Sequence, residues 1–196
     1  MAATALQLHD AEPDDTAWIE AARQGDPAAA AWLAERYSPT VYRFALRMMR
    51  DEQDASDICQ ETMVKVLRNL HRYDARWRFQ TWILSVARNT CIDEFRRRRH
   101  RSYDEAPDVA DSRPGPLELT SDQERSVTLH AALAQIPPLY REVLVFYHFE
   151  HLKYREIADM LDIPIGTVMN RIFRARQKLR EAYERVEADG DAPGRS

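Results

Sequence analysis

Apolar residues recur along this chain at helical spacing, with polar residues on the complementary faces, so the pattern predicts helix after helix. From Thr16 to Arg23, Trp18, Ile19 and Ala22 form a short inward stripe that Gln24-Gly25-Asp26 ends. Asp26-Pro27 reads as an N-cap followed by proline at the first helical position. The helix that follows buries Ala31, Leu33 and Tyr37. Ser38-Pro39 restarts or kinks it, and Val41, Phe44, Ala45, Met48 and Met49 continue its core face. Asp54-Ala55-Ser56-Asp57 opens the next helix, with Ser56 as cap and Ile58, Cys59, Thr62, Met63, Val66, Leu67 and Leu70 inward. A long helix then runs from Gln80 to about His100, turning Trp82, Ile83, Val86, Ala87, Thr90 and Phe95 inward.

The second half has its own set of helices. Ser121 with Glu124 resembles a capping box, and Val127, Leu129, Leu133 and Ile136 share one face up to Pro137-Pro138. Leu139, Val143, Leu144 and Phe146 follow on another helix. Tyr154, Ile157, Ala158 and Leu161 make a short helix that Asp162-Ile163-Pro164 interrupts, with Pro164 opening the last one. That helix carries Val168, Ile172, Ala175, Leu179, Ala182 and Val186 as one seam. A short helix, a tight corner and a second helix make a helix-turn-helix. Glycine is common where Asp162 stands, and aspartate adopts the same left-handed geometry at modest cost.

The fold class is therefore all-α: two small helical domains joined by a flexible linker, the second a four-helix domain with a helix-turn-helix. Residues 1–14 are expected to be disordered, 15–101 to form the first domain, 102–120 the linker, 121–187 the second domain and 188–196 a disordered tail. Extended, a linker of about 19 residues reaches on the order of 60 Å, so two modules on it can occupy well-separated sites. Charged residues at 31% and only 5 glycines agree with a helical protein rather than a turn-rich β one. The N-terminus lacks a basic start and an apolar centre, and no apolar run is long enough for a bilayer, which predicts a cytoplasmic chain without membrane insertion. Cys59 and Cys91 lie on or near apolar faces, as core thiols do.

The net charge of −4 at first opposes nucleic-acid binding, but the charge is unevenly placed. Arginines cluster at Arg96–Arg101 and Arg171–Arg180, while acids fill Asp10–Asp15, Asp51–Glu61 and Asp104–Asp111. Weak DNA binding by the free chain, with acidic surface for a different partner, is the consequence expected. The last helix turns Thr167, Asn170, Arg171, Arg174 and Lys178 outward, and Asn and Arg form bidentate hydrogen bonds with base edges in the major groove. An ordinary solvated basic face would have much the same composition. In the loop His71 to Phe79, aromatic and cationic residues alternate, offering flat surfaces for unstacked bases and charge for phosphates, or else simply closing the end of a core. Arg96, Arg97, Arg98, Arg99 and Arg101 exceed what a helix C-terminus needs and suggest a phosphate footprint, to which Arg176 and Lys178 add. No spacing for a metal site, nucleophile-base pair or phosphate-cradling loop is evident, so neither catalysis nor a cofactor is expected.

Three stretches in order, DASDICQETMVKVLRNL, RFQTWILSVARNTCIDEFRRRR and the segment from Ala132 to Glu181, resemble the bacterial sigma factors of the extracytoplasmic-function group. The resemblance covers about residues 14 to 186 and gives the two halves the character of sigma regions 2 and 4. It implies that Asp57, Gln60 and Glu61 dock on core RNA polymerase. It further implies that Tyr73, Arg76, Trp77, Arg78, Phe79, Trp82, Arg88, Asn89 and Asp93 melt and read the proximal promoter element. Thr167, Met169, Asn170, Arg171, Phe173 and Arg174 would read the distal one. Two departures bear on the transfer: Ala75 and Trp77 stand where Gly and Ser are frequent, and Asn170 where Ser is frequent. The partners implied are core RNA polymerase, promoter DNA and an anti-sigma protein. A helix-turn-helix regulator that is not a polymerase subunit, or a protein-binding adaptor using the acidic helix, are the alternatives that the residues leave open.

Overall fold

The computed structural model describes residues 15–104 and 121–190, with backbone alone for 100–104, 121–126, 189 and 190. The expected N-terminal tail, the linker from 105 onward, the tail from 191, the side chain of Arg101 and the Ser121–Glu124 box lie outside the described residues. Every regular element among the described residues is helical.

The first four helices are α1 (Thr16–Arg23), α2 (Pro27–Met49), α3 (Glu52–Arg68) and α4 (Phe79–Asp104), with a single 3-10 turn at Leu70–Arg72. Asp26 caps α2 as expected: its Oδ1 accepts the Ala28 N–H at 2.8 Å and the Ala29 N–H at 3.4 Å. The helix runs on through Pro39 instead of restarting there. Proline removes one backbone donor, and the Ser38 hydroxyl donates to the Ala34 carbonyl at 2.6 Å just before it.

The start of α3 also differs from expectation. Asp51, not Ser56, is the cap: it is extended, and its Oδ1 accepts the Asp54 N–H at 2.8 Å. Arg50, at φ 69, ends α2 in the left-handed region, so two residues suffice to join α2 to α3. Trp18 was expected inward but is 40% exposed, stacked on Trp32 with ring centroids 4.8 Å apart; Ala31 is likewise exposed, and Ala29 takes the buried position. At the far end α4 extends to Asp104, three residues past the expected domain edge.

The second group comprises α5 (Ser121–Gln135), α6 (Pro138–Leu144), α7 (Tyr154–Leu161) and α8 (Ile165–Gly190). A wider π-type turn at Val145–Phe149 continues α6. Val127 and Leu139, expected inward, are 39% and 45% exposed. At the corner Asp162 takes φ 52 and ψ 50, the left-handed geometry expected of it. Pro164 is the cap of α8, not its first residue: its carbonyl accepts from Thr167 at 2.8 Å and Val168 at 3.2 Å. Val168, Ile172, Ala175 and Ala182 are buried along the seam, and Leu179 and Val186 half-buried.

The two groups pack into one continuous core. Phe44 of α2 and Phe146 of the π turn are both fully buried and stack with ring centroids 5.2 Å apart. Arg141, 5% exposed, donates to the carbonyls of Leu133, Ala134 and Ile136 at 2.8–2.9 Å, closing the end of α5. Its remaining Nη1 donates across the boundary to the Met48 carbonyl at the end of α2. Burial pulls its pKa down to about 10, still charged at neutral pH. Arg47 approaches Glu150 to 3.5 Å and lies 4.3 Å over the Phe149 ring.

Candidate nucleic-acid interface

The last helix projects the expected readers in three directions. Asn170 and Arg174 are exposed and, with half-buried Thr167, Gly166, Leu139, Tyr140 and Arg171, line a shallow depression of about 490 Å³ at the start of α8. On one flank Ile165, Met169 and Phe173 fall at i, i+4 and i+8 and are 48%, 53% and 71% exposed. Apolar groups at a groove-facing surface suit thymine methyl contacts. On the other flank Arg171 turns inward and meets Glu142 of α6 at 3.6 Å, with 22% of its side chain exposed. Arg176 lies 3.4 Å from His148 Nε2 and 5.5 Å over the Tyr147 ring, while the Lys178 ammonium sits 5.6 Å over the Tyr140 ring. These cations rest on aromatic surface at the sides of α8.

The aromatic-basic loop divides into an anchored part and an outward part. Tyr73 packs against Phe79 at 4.9 Å and Trp82 at 5.4 Å, and Phe79, 5% exposed, meets Tyr37 edge-on at 5.2 Å. Closing the core end thus accounts for Tyr73 and Phe79. Arg23, which sequence reasoning passed over as a helix end, fixes this part: Nε donates to the Leu70 carbonyl at 3.1 Å, Nη2 to the Tyr73 carbonyl, and the guanidinium lies 5.6 Å over the Tyr73 ring. The Tyr73 hydroxyl donates to the Trp77 carbonyl at 2.6 Å, shaping the turn. Arg76 and Arg78 are left exposed and Trp77 half-exposed at its tip. Arg76 donates through Nε to Asp74 at 2.7 Å, and this holds the Asp74 carboxyl below its ordinary range.

Along α4, Arg88 reaches Glu142 at 2.9 Å and Asn89 Oδ1 at 3.1 Å, and Asp93 pairs with Arg96 at 3.5 Å. The arginine run beyond is interlaced with acids. Arg97 bridges Glu94 at 3.2 Å and Glu61 at 3.4 Å; Arg98 pairs with Asp54 and with Glu94 at 3.2 Å. Arg96 and Arg99 are exposed. Lys65 joins the same network at Glu61, 2.8 Å away, and these hydrogen-bonded cations hold Glu61 below the usual carboxylate range. Asp57 and Gln60 are exposed on the same face of α3, beside Val64 at 47%. Val64 is an apolar addition that the acidic pattern hid. Both thiols are buried, and burial pushes Cys91 up to about 12.

Family comparisons place this geometry. The Sigma-70 region 2 family model matches residues 33–101, and the Sigma-70, region 4 model matches residues 126–179. The ECF RNA polymerase sigma factor SigE of Mycolicibacterium smegmatis is 34% identical over 177 residues, covering 87% of this chain and 68% of that protein. The ECF RNA polymerase sigma factor SigW of Bacillus subtilis is 30% identical, covering 83% and 93%.

The chain belongs to the ECF group of sigma factors.

The solved sigma factor RpoE of Bartonella quintana, in complex with the anti-sigma factor NepR, shares the fold at a TM-score of 0.67 and 20% identity, over 79% of this chain and 96% of that one. In this sigma factor the region 2 match includes α3, the loop after it and α4 as far as residue 101, and the region 4 match includes the helix-turn-helix and α8 as far as residue 179. Glu142, which contacts Arg88 and Arg171, went unnoticed in the sequence. It lies beside the apolar run Val143–Phe146, where a buried carboxylate leaves no periodic mark. No described helix is long and apolar enough to cross a membrane.

Proposed function

We propose that this protein is an alternative sigma factor that binds core RNA polymerase, directs it to specific promoters and helps to open the DNA. What supports this most is the presence, in one chain and in order, of a region 2 and a region 4 match, together with an exposed Asn170–Arg174 face on the second helix of a helix-turn-helix. Asp57, Gln60 and Glu61 dock on polymerase, with Val64 adding apolar contact area. The loop Tyr73 to Phe79, with Trp82, Arg88, Asn89 and Asp93, reads and melts the proximal element. Trp77 at its tip is the group most available for a base, since Tyr73 and Phe79 already pack on each other. Thr167, Met169, Asn170, Arg171, Phe173 and Arg174 read the distal element. Arg96, Arg99, Arg101, Arg176 and Lys178 contact phosphates, joined by Arg97 and Arg98 once polymerase takes up the acids that pair with them.

The work is differential binding. Opening a few base pairs costs several kcal/mol, and stacking of exposed bases returns about 1–3 kcal/mol each. Polymerase supplies the remaining positioning. The functional units are residues 15–101 and 121–187, and the protein acts in the cytoplasm under an anti-sigma protein. Crosslinking through a photoreactive group at Trp77 and at Arg174 in a complex with core polymerase and promoter DNA tests the placement. The proximal and distal elements should be labelled respectively. Tight salt-resistant operator binding by the chain alone, with no association with polymerase, would replace this reading with a free-standing regulator.

A further inference from the structure

On the flank of α8 that carries Met169 and Phe173, Arg176 comes next, at i+7 and i+3, and is exposed like them. Among the described residues no carboxylate pairs with it. Its guanidinium lies 5.5 Å over the Tyr147 ring, and Nε and Nη2 both approach a single atom, His148 Nε2, at 3.4 Å. One lone pair shared by two donors at that distance is a weak contact, and it requires a neutral imidazole. His151, exposed and in left-handed backbone at φ 54, brings a second basic ring to bear on His148. The other groups around the turn are engaged elsewhere: Tyr147 packs on Tyr154 of α7 at 4.9 Å, Glu150 meets Arg47 of α2, and Glu142 of α6 meets Arg88 and Arg171. Partial burial, with Arg176 and His151 adding to it, keeps the His148 ring below its ordinary pKa. An exposed arginine and histidine in contact, with no acid beside them, lack a counter-ion.

We propose that Arg176 and His148 form a phosphate clasp, which takes one phosphodiester oxygen of the promoter duplex, beside the distal element, between the guanidinium and a protonated imidazole. The proposal rests on the reading above that α8 reads that element. A helix in the major groove has a phosphate backbone along each flank, and contacts there fix its register without reading sequence. The bound oxygen accepts from Arg176 and from His148 Nε2–H together, so the ring gains a proton as the duplex seats. The free ring has a low pKa, and the phosphate charge raises that of the bound one. Affinity therefore climbs as pH falls from above the bound pKa to below the free one, and is flat outside that window. Each unit between the two is worth about tenfold.

The test uses the full chain bound to core polymerase and a fluorescent promoter duplex recovered from genomic fragments that this complex retains. Affinity is titrated at about pH 6 and about pH 8, on either side of the ordinary histidine pKa, over a range of salt. Wild type should bind about threefold to tenfold tighter at the lower pH, with a log–log salt slope steeper by about 0.9, the mark of one added phosphate contact. His148→Gln should bind alike at both, with a single slope. His130→Gln, an exposed histidine of α5 beside Arg47, should follow wild type. Arg176→Gln relieves the repulsion, so its affinity should fall throughout and its pH dependence move to higher pH. Wild-type pH dependence in His148→Gln overturns the clasp, as does its loss in His130→Gln. If His148→Gln loses helicity by circular dichroism, Arg176→Gln decides, and an unshifted pH dependence there overturns it. A pH effect of His148 on retention of polymerase, and not of duplex, makes an acidic protein surface the ligand and overturns it too. Failure of the underlying reading appears separately, as wild-type duplex binding by Arg174→Ala at both pH values.

Discussion

Phe44 of α2 and Phe146 beyond α6 stack at 5.2 Å and 15° between ring planes, although they stand 102 positions apart in sequence. Neither ring has any exposed surface. The stack closes the boundary between the two halves of the chain. Phe146→Ala should destabilise the protein by about 3–5 kcal/mol through lost burial and the cavity left behind. Urea unfolding followed by tryptophan fluorescence measures it, and a loss below about 1 kcal/mol would mean that the rings are not packed this way.

The corner of the helix-turn-helix depends on a non-glycine residue in left-handed backbone, Asp162 at φ 52. Glycine removes the steric penalty, while a β-branched residue increases it. Asp162→Gly should be neutral or stabilising by up to about 1 kcal/mol, and Asp162→Ile destabilising by about 1–2 kcal/mol. Thermal denaturation of both variants checks the order; the reverse order would contradict the geometry.

The loop between α3 and α4 is held from outside by Arg23, which donates to the carbonyls of Leu70 and Tyr73. Arg23→Ala should cost about 1–2 kcal/mol, since charge-assisted hydrogen bonds are lost from a partly exposed site. Amide exchange at residues 70–78 should accelerate while that at α8 stays unchanged. Open-complex formation, read by permanganate reactivity, should fall with it.

Glu150 is mostly buried, and that burial pushes its carboxyl above the ordinary range despite Arg47 nearby. A carboxyl whose folded pKa exceeds its unfolded one contributes stability that is complete below the unfolded pKa and is lost as pH rises through the folded one. At neutral pH the ionised Glu150 is therefore a burden. Glu150→Gln should match or exceed wild-type stability at neutral pH, and its advantage should shrink as pH falls through the raised pKa. Urea midpoints for both proteins across that window measure the difference; an advantage that grows on acidification would contradict the assignment.

Much of the helical layout was legible because local chemistry decides it. Asp26-Pro27 capped α2, Asp162 turned the corner, and the Val168–Ala182 seam faced inward, each from neighbours in sequence alone. The errors arose where two local solutions compete. Asp51 and Ser56 can both cap a helix, and Arg50 in left-handed backbone selects the earlier one. Trp18 fits an apolar stripe, yet it stacks on Trp32 of α2 at the surface. For the candidate face, exposed Asn170 and Arg174 agree with the helical pattern, but the inward turn of Arg88 and Arg171 does not follow from it. That turn depends on Glu142, which meets Arg171 through the packing of α6 on α8 and Arg88 only through the packing of the two halves. The same holds for Arg97 and Arg98, which the run of arginines presents as unopposed and α3 supplies with acids.

Transcription in vitro with core polymerase on a library of genomic fragments tests the central claim most directly. Transcripts should start at a discrete set of sites only when this protein is added, and Arg174→Ala should lower their yield by about tenfold, the worth of one good base contact. A chain that neither associates with core polymerase nor changes which fragments are transcribed would contradict the account.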